Sequence, residues 1–288
     1  MVKLADEDIR TREVLGWQGI HVLHNPMSSC SQKLRIFLNL KCLDWQSHVV
    51  DLAANGNMSD WFLGINPRGL VPVLVQDGSV HIESNDILWH LEQQFPAPCL
   101  IPVGSAAEIR KLLHHEDDLH LDLRALSFRY VFNPPKPRKT PEILEHFAKS
   151  GTGLLNGIED RGKAEQLEFW TNYAKQGVTD SKVRTAVARF REAFSDLEQR
   201  LSRHAYLLGS QLTVLDIAWY IYVNRLTLAG YPVSRLHRRL GAWFAALQTR
   251  PEFAREVAIP AAFQDFIERT RRQHSIERTT LVEVADLH

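Results

Sequence analysis

The order of short apolar segments between residues 20 and 95 constrains the fold more than any other feature of the sequence. Ile20–His24 predicts a strand, residues 28–40 have the three-to-four-residue spacing of a helix, and residues 48–52 predict a second strand. Two strands joined through one helix form a parallel pair with a right-handed crossover. This part of the chain therefore predicts a β-α-β unit.

A hairpin and another helix follow the β-α-β unit. Residues 71–75 are apolar and lead to Asp77-Gly78, a two-residue hairpin signal, with Ser79–Ile82 as the partner strand. Ser84 is the expected N-cap of a helix that stops before a proline. With one or two helical turns between the halves, the order β-α-β-α-β-β-α predicts a small mixed sheet with helices on both sides.

Pro72 lies inside the apolar run of the third strand. Proline cannot donate a hydrogen bond to a sheet, so its position favours a sheet edge, a bulge or the beginning of a strand. The same position is compatible with a cis peptide bond that turns the chain just before the strand.

The remainder of the chain, after a linker at residues 96–104, shows only helical periodicity. Residues 133–140, rich in proline, predict an exposed loop, and residues 151–157 interrupt the periodicity a second time. Asp180–Leu201 predicts one long amphipathic helix.

The predicted domain boundaries follow from this change of periodicity. We expect an α/β domain over residues 17–102 and an all-helical domain over residues 105–288. Thr213 and Asp216 have the spacing of a capping box, and they predict the start of an apolar helix over Ile217–Leu228 in the second domain.

Charge and cysteine content exclude several classes of function. The 34 basic and 34 acidic side chains give a formal net charge of zero, so no global field attracts nucleic acid or an anionic membrane. No apolar run approaches the roughly 20 residues that span a bilayer. The three cysteines are too few and too scattered for a disulfide framework, and none forms a CxxC pair. We therefore expect a cytoplasmic protein without a metal site.

The turn between the first strand and the first helix holds one candidate site. Ser28, Ser29, Cys30 and Ser31 place three hydroxyls and a thiol where unpaired backbone N–H groups and the positive end of a helix dipole meet. One interpretation is an N-cap serine with a buried structural cysteine. The other is that one of these groups stabilises a thiolate, either the protein's own or that of a ligand.

A second candidate site combines Val71-Pro72 with Glu83-Ser84. An extended peptide could pair with the main chain of Val71 as an added strand. Ser84 at a helix N-terminus could hold a carboxylate, and Glu83 could take an ammonium group. Glutathione, a small peptide with a thiol and a free α-amino acid end, would use all three contacts. Alone, Glu83-Ser84 is a capping feature in most proteins.

Four stretches, in order and at the appropriate spacing, resemble the glutathione transferase superfamily over about residues 19–260. They are SSCSQKLR at residues 28–35, INPRGLVPVL at residues 65–74, IESNDIL at residues 82–88 and LTVLDI at residues 212–217. The resemblance implies a thioredoxin-like α/β domain that binds glutathione, followed by an all-α domain that shapes the pocket for a second substrate. It also implies a homodimer.

The resemblance assigns roles to individual residues. Ser28 occupies the position of the group that activates the glutathione thiol. Val71, Glu83 and Ser84 become glutathione ligands with Ser29 beside them, and Pro72 becomes the cis proline. These assignments are expectations from the family pattern.

The same stretches resemble several classes within the superfamily. The triplet Ser28-Ser29-Cys30 is similar to the zeta class, which includes maleylacetoacetate isomerase. Ser28 with Cys30 also resembles the tetrachlorohydroquinone reductive dehalogenases, and residues 60–74 resemble the bacterial β-etherases. In an isomerase pattern Cys30 assists or is dispensable, whereas in the reductive pattern it forms a mixed disulfide.

One position departs from a related pattern. Omega-type sequences carry a lysine that helps to hold the glycine end of glutathione where this chain has Met58. His48 and Arg68 are the two cations considered as replacements, and the sequence does not rank them.

These observations lead to two hypotheses. The first is a glutathione-dependent transferase that acts on a small hydrophobic aromatic or unsaturated electrophile by thiolate attack. Conjugation, isomerisation, reductive dehalogenation and ether cleavage all remain open, in detoxification or in the metabolism of aromatic compounds. The alternative is a catalytically weak binding or scaffold protein of the same fold.

Overall fold

The computed structural model describes residues 2–132 and 139–287, which divide into two compact units. The first unit comprises the chain up to Phe95 and a later segment that ends at Gly177. The second unit comprises a segment that begins at Pro96 and the chain from Val178 onward. Residues 139–177, here called the inserted segment, thus group with the first unit, whereas the predicted boundaries assign them to the helical domain. The boundaries at 17–102 and 105–288 stay a prediction.

A five-stranded sheet forms the centre of the first unit. Its strands are β1 Val2–Lys3, β2 Ile20–His24, β3 Gln46–Val49, β4 Val73–Gln76 and β5 Ser79–Ile82. Their order is β1-β5-β4-β2-β3, with β2 and β3 parallel and the other pairs antiparallel. The parallel β-α-β unit is confirmed, whereas β1, which pairs along β5, was not anticipated.

The turn between β4 and β5 is the predicted two-residue hairpin. Gln76 pairs with Ser79 across Asp77 and Gly78, whose φ angles are 48° and 78°. Positive φ at both central residues defines the hairpin turn whose twist matches the strands. A Cβ atom at Gly78 would also lie 2.3 Å from the carbonyl oxygen of Leu15, so the close approach requires glycine.

Three helices complete the α/β part of the first unit. They are α1 Ser29–Leu40, α2 Asp60–Leu63 and α3 Ser84–Gln94. α1 and α3 contact each other, and Lys33 in α1 donates a 2.8 Å hydrogen bond to the side-chain oxygen of Asn85 in α3. The opposite layer is an apolar core that includes Leu23, Phe62 and Val75.

The inserted segment packs against this unit. It contains α6 Pro141–Lys149, the short hairpin strands β6 Leu154–Leu155 and β7 Ile158–Glu159, and α7 Arg161–Gln176. At the predicted interruption, residues 151–157, the chain turns through Asn156 and Gly157, both with positive φ, and forms this short hairpin. Phe147 is fully buried against Met58 and Leu63, and Leu155 joins the apolar core.

The second unit is helical. It comprises α4 Ala106–Asp117, α5 His120–Ser127, a π turn at Phe128–Phe132, α8 Asp180–Leu201, α9 Val214–Leu228, α10 Val233–Leu236, α11 Arg238–Gln248, α12 Pro251–Val257, α13 Ala261–Glu277 and α14 Leu281–Val284. α8 has the predicted bounds, and its apolar stripe is buried. The capping box at Thr213 and Asp216 is confirmed, although α9 begins three residues earlier than predicted.

One further expectation concerns the first interruption of the helical region. The predicted loop at residues 133–140 falls mostly outside the described residues. Near the carboxyl terminus, Leu281 and Leu287 are buried, so this part of the tail is docked. Across residues 2–132 and 139–287, no helix is both long enough and apolar enough to cross a membrane.

Candidate functional site

The segments that carry the predicted site residues meet at one edge of the sheet. β2 and β5 are both antiparallel to β4, so they run in the same direction, and their carboxyl ends lie at the edge where β4 begins. α1 follows β2, α3 follows β5, and Val71 directly precedes the turn into β4. The topology therefore brings Ser28, Val71 and the Glu83-Ser84 pair to the same edge.

Ser28 is the N-cap of α1. Its Oγ accepts a hydrogen bond from the backbone N–H of Ser31 at 3.3 Å and donates to the carbonyl oxygen of Val71 at 3.5 Å. The guanidinium of buried Arg35 donates to the carbonyl oxygens of Asn25 and Pro26, each at 3.2 Å. These bonds hold the turn before α1, so the half-buried Ser28 hydroxyl has a defined position.

Ser29 and Cys30 occupy the first turn of α1, and both are half-buried. Cys30 is not in a disulfide. The N-terminus of a twelve-residue helix carries partial positive charge, which favours a thiolate nearby. Both residues thus lie at the end of the helix where an anion is stabilised.

Val71 and Pro72 are joined by a cis peptide bond. The pairing of β2 with β4 ends at Leu23 opposite Val73, so the main chain of Val71 lies beyond the paired region. Pro72 accordingly precedes the strand, which is one of the positions that its missing N–H allowed.

Glu83 and Ser84 stand where β5 turns into α3. The structure makes Glu83 the N-cap and Ser84 the first helical residue, so the cap lies one position earlier than predicted. Glu83 has φ 67° and ψ 112°, a conformation that non-glycine residues rarely adopt. Such strained residues cluster at functional sites, and each costs on the order of 1–3 kcal/mol.

Arg68 connects Glu83 to the inserted segment. Its Nη1 forms an ion pair with the Glu83 carboxylate, and its Nη2 lies 2.8 Å from Oδ1 of Asp160. Burial lowers the pKa of Arg68, but hydrogen bonds and charge from Asp160 and Glu83 outweigh it and raise that pKa above the ordinary value. Arg68 is therefore a permanent cation in this cluster.

The other cation considered for the glycine end lies in a different environment. His48 stacks on Trp17 with ring centroids 4.5 Å apart, and its Nε2 lies 3.0 Å from Nδ1 of His21. Burial and the neighbouring His21 lower the pKa of His48. Of the two cations, Arg68 is the one beside a predicted site residue.

Asp160 contacts Arg68 at this edge of the sheet and was not among the predicted site residues. Its side chain is 2% exposed and contacts Arg68 across 92 positions of sequence. The only local signal is an acidic residue directly before a helical segment, which is typical of an N-cap. Nothing in that signal indicates a partner in the INPRG stretch.

The aromatic residues before the predicted loop lie on the π turn of the second unit. Tyr130 is buried beside His274, with ring centroids 5.0 Å apart, so it belongs to the core. Phe128 and Phe132 are half-buried and contact each other at 5.6 Å. In the described part of the chain, no group of three or more His, Cys, Asp or Glu side chains could hold a metal ion.

Comparison with known proteins gives matches to both units. Residues 27–94 match the glutathione S-transferase N-terminal domain, and residues 160–246 match the glutathione S-transferase C-terminal domain. Glutathione S-transferase 1 of Dianthus caryophyllus is 31% identical over 194 residues, which cover 66% of this chain and 70% of that protein. A probable maleylacetoacetate isomerase of Vibrio cholerae is 28% identical over 78% of this chain and 92% of its own length.

A solved structure shares the architecture. β-Etherase LigF from Sphingobium sp. strain SYK-6 superposes with a TM-score of 0.69, at 24% identity over 83% of this chain and 98% of the etherase. A thioredoxin-like sheet with helices and a helical C-terminal part together define the glutathione transferase fold, as the resemblance implied. The chain belongs to the glutathione S-transferase family of enzymes.

Proposed function

We propose that this protein binds glutathione and catalyses attack of its thiolate on a small hydrophobic electrophile, aromatic or unsaturated. One observation carries the proposal: the Ser28 hydroxyl at the N-terminus of α1 lies 3.5 Å from the carbonyl oxygen of Val71, beside cis-Pro72. A peptide that pairs with the Val71 main chain would therefore bring its side chain next to a hydroxyl donor and a helix N-terminus.

The activating step is the ionisation of the thiol. A free thiol has a pKa of ~8.5, so only a few per cent is thiolate near neutral pH. The Ser28 hydroxyl would donate to the sulfur, and the dipole of α1 would add to this stabilisation. Together they would lower the thiol pKa by roughly one to two units, at about 1.4 kcal/mol per unit. The thiolate then attacks the electrophilic carbon, and Ser28 keeps its own proton.

The remaining contacts would hold the γ-glutamyl end. The α-carboxylate fits the Ser84 hydroxyl and the N-terminal N–H groups of α3, and the ammonium fits the Glu83 carboxylate. Ser29, in the first turn of α1, is proposed as a further polar contact. Arg68 lies at the Glu83 end of this arrangement, so it does not replace the lysine whose position Met58 occupies.

The type of reaction follows from what happens after the attack. Relatives named as a zeta-class transferase and a maleylacetoacetate isomerase support isomerisation, and LigF supports ether cleavage. In reductive dehalogenation, the Cys30 thiolate would attack the sulfur of a glutathionyl adduct. The carbon fragment leaves with the electron pair and takes a proton, and a second glutathione resolves the mixed disulfide.

Calorimetric titration of glutathione tests the binding site. We expect micromolar to millimolar affinity in the wild type and about tenfold weaker binding in Ser84→Ala, which removes a hydrogen bond to a charged group. A panel of aryl halides, aryl ethers, maleyl ketoacids and chlorinated quinols then separates the reaction types. Absence of wild-type binding would favour the alternative, a scaffold protein of the same fold.

Three broader properties complete the proposal. We infer a homodimer, a location in the cytoplasm and a role in detoxification or the metabolism of aromatic compounds. The family supports the first, and three cysteines without a disulfide framework support the second. Light scattering measures the molar mass of the purified protein. The mass of two chains would support the homodimer, and the mass of one chain would contradict it.

A further inference from the structure

The guanidinium group of Arg68 connects the inserted segment to Glu83, the residue expected to bind the ammonium group. Arg68 donates from Nε to both carboxylate oxygens of Asp160, at 2.9 and 3.1 Å, and its Nη2 lies 2.8 Å from Oδ1. This leaves Nη1 for the Glu83 carboxylate. This bidentate contact with Asp160 fixes the plane of the guanidinium.

Asp160 is itself held in place. It is the N-cap of α7, and its Oδ1 accepts the backbone N–H of Gly162 at 3.0 Å. A Cβ atom at Gly162 would lie 2.8 Å from Nε of Arg68, so the start of α7 lies directly against the guanidinium. The buried Phe147 and Leu155 anchor the rest of the inserted segment on the same unit.

The charges of the cluster determine what Glu83 can bind. Arg68 and Glu83 alone would form a neutral pair, which attracts an ammonium group weakly. With Asp160 the three side chains carry a net charge of −1, and the Glu83 side chain remains 36% exposed. Lys163 on α7 also interacts electrostatically with Asp160, but its Nζ donates to the carbonyl oxygens of Ala148 and Ser150 and not to Glu83. An approaching cation therefore meets a net negative cluster whose accessible carboxylate is Glu83.

We propose that Asp160 is a positioning residue for the glutathione site: acting through Arg68, it holds the Glu83 carboxylate in place and keeps the cluster negative toward the ammonium group of glutathione. This inference rests on the function proposed above. It makes the inserted segment part of the machinery that recognises the γ-glutamyl end.

The test compares two ligands, since a purely structural ion pair would affect both alike. The first ligand is glutathione. The second is glutaryl-cysteinyl-glycine, which keeps the skeleton and both carboxylates of glutathione and lacks only its α-amino group. Asp160→Asn removes the charge and keeps a good N-cap. The control is Glu159→Gln, an exposed neighbour on β7 that loses the same charge.

Calorimetry should show glutathione binding weakened by roughly fivefold to tenfold in Asp160→Asn, the size expected for one partly buried charge contact. The analogue without the amino group should change by less than about twofold, and Glu159→Gln should match the wild type for both ligands. Asp160→Glu, which restores the charge, should recover most of the preference for glutathione over the analogue without the amino group. Asp160→Ser provides a second neutral cap should the Asn variant fold poorly, as judged by circular dichroism.

The outcomes separate the two proposals. Equal weakening of both ligands, or unchanged glutathione binding in the Asn variant, overturns the role of Asp160 and leaves the proposed function standing. Failure of the wild type to bind glutathione overturns the proposed function, and the role of Asp160 falls with it.

Discussion

The hydroxyl of Ser28 has a defined direction, and that direction matters for the proposed chemistry. One lone pair of Oγ accepts the backbone N–H of Ser31, so the proton points away from α1 toward Val71. A sulfur atom beside the Val71 main chain could take over this hydrogen bond without any rearrangement of the helix. Donation from a hydroxyl that is already oriented costs little entropy.

Replacement of this hydroxyl should raise the pKa of bound glutathione. In Ser28→Ala the dipole of α1 remains, so we expect the thiol pKa to rise by about one unit and kcat/KM at neutral pH to fall about tenfold. The ultraviolet absorbance of the thiolate, followed against pH, measures the first effect directly. Ser195→Ala, an exposed serine on α8, should leave both unchanged. A normal thiolate titration in Ser28→Ala would remove Ser28 from its proposed role.

His81 determines part of the stability of the protein in mild acid. Its side chain is buried and stacks on His90 with ring centroids 3.9 Å apart. Burial, with the charges of His90 and Lys3, lowers the pKa of His81 to about 4. The unfolded chain therefore binds this proton from pH ~6.5 downward, whereas the folded protein resists it until about pH 4.

The free energy of unfolding should consequently fall as the pH decreases from ~6.5 to about 4, by up to about 3 kcal/mol from His81. His81→Gln should make this slope shallower, and His204→Gln, an exposed histidine, should keep it. Urea denaturation at several pH values within the window measures both. Parallel slopes in the wild type and His81→Gln would show that the other histidines carry the dependence.

At the scale of elements, α9 depends on a single buried carboxylate. Asp216 accepts hydrogen bonds from the backbone N–H of Leu207 and Thr213 and from Nε1 of Trp243, at 2.9 to 3.1 Å. Burial raises its pKa above the ordinary value, although these hydrogen bonds act in the opposite direction. The cap therefore joins the start of α9 to α11 and to the loop after α8.

Loss of this carboxylate should destabilise the second unit strongly. Asp216→Ala leaves these three donors and the Thr213 hydroxyl without their acceptor, and we expect the free energy of unfolding to fall by at least about 3 kcal/mol. Asp216→Asn should lose less, since one acceptor oxygen remains. The exposed Asp196→Asn on α8 is the matched control. A urea midpoint within error of the wild type for Asp216→Ala would contradict this account.

The inserted segment should detach when its anchor is shortened. Phe147 is fully buried against Met58 and Leu63, so Phe147→Ala should cost the docked segment about 3–5 kcal/mol. Limited proteolysis should then cut within residues 139–177 well before the rest of the chain. Ile158→Ala, at a side chain 72% exposed in the same segment, should leave the cleavage pattern unchanged.

The elements whose signal is local in the sequence were predicted correctly. The hairpin at Asp77-Gly78 depends on two residues that tolerate positive φ, and α8 depends on one uninterrupted apolar stripe. β1 escaped prediction because two residues carry no periodicity, and their pairing depends on β5. The link between Arg68 and Asp160 escaped for the same reason, since only the folded chain brings them together.

At the scale of the whole molecule, the balance of 34 basic and 34 acidic side chains predicts weak long-range steering. The association rate of glutathione should therefore change by less than about threefold between low and physiological salt, whereas we expect the local cluster at Glu83 to act on the dissociation rate. Stopped-flow measurements at two ionic strengths separate the two rates. A steep dependence of the association rate on salt would indicate a locally charged surface that steers glutathione, in contradiction to this prediction.

The first unit is discontinuous along the chain, and this has a consequence for protein engineering. Glutathione transferases invite chimeras in which the sheet-bearing half of one protein is fused to the helices of another. A cut after Phe95 would transfer Ser28, Val71 and Glu83 in such a chimera, but it would leave Asp160 behind and strip the cover from Met58 and Leu63. Recombination that respects this architecture must carry residues 139–177 along with the first 95, as two exchanged blocks instead of one.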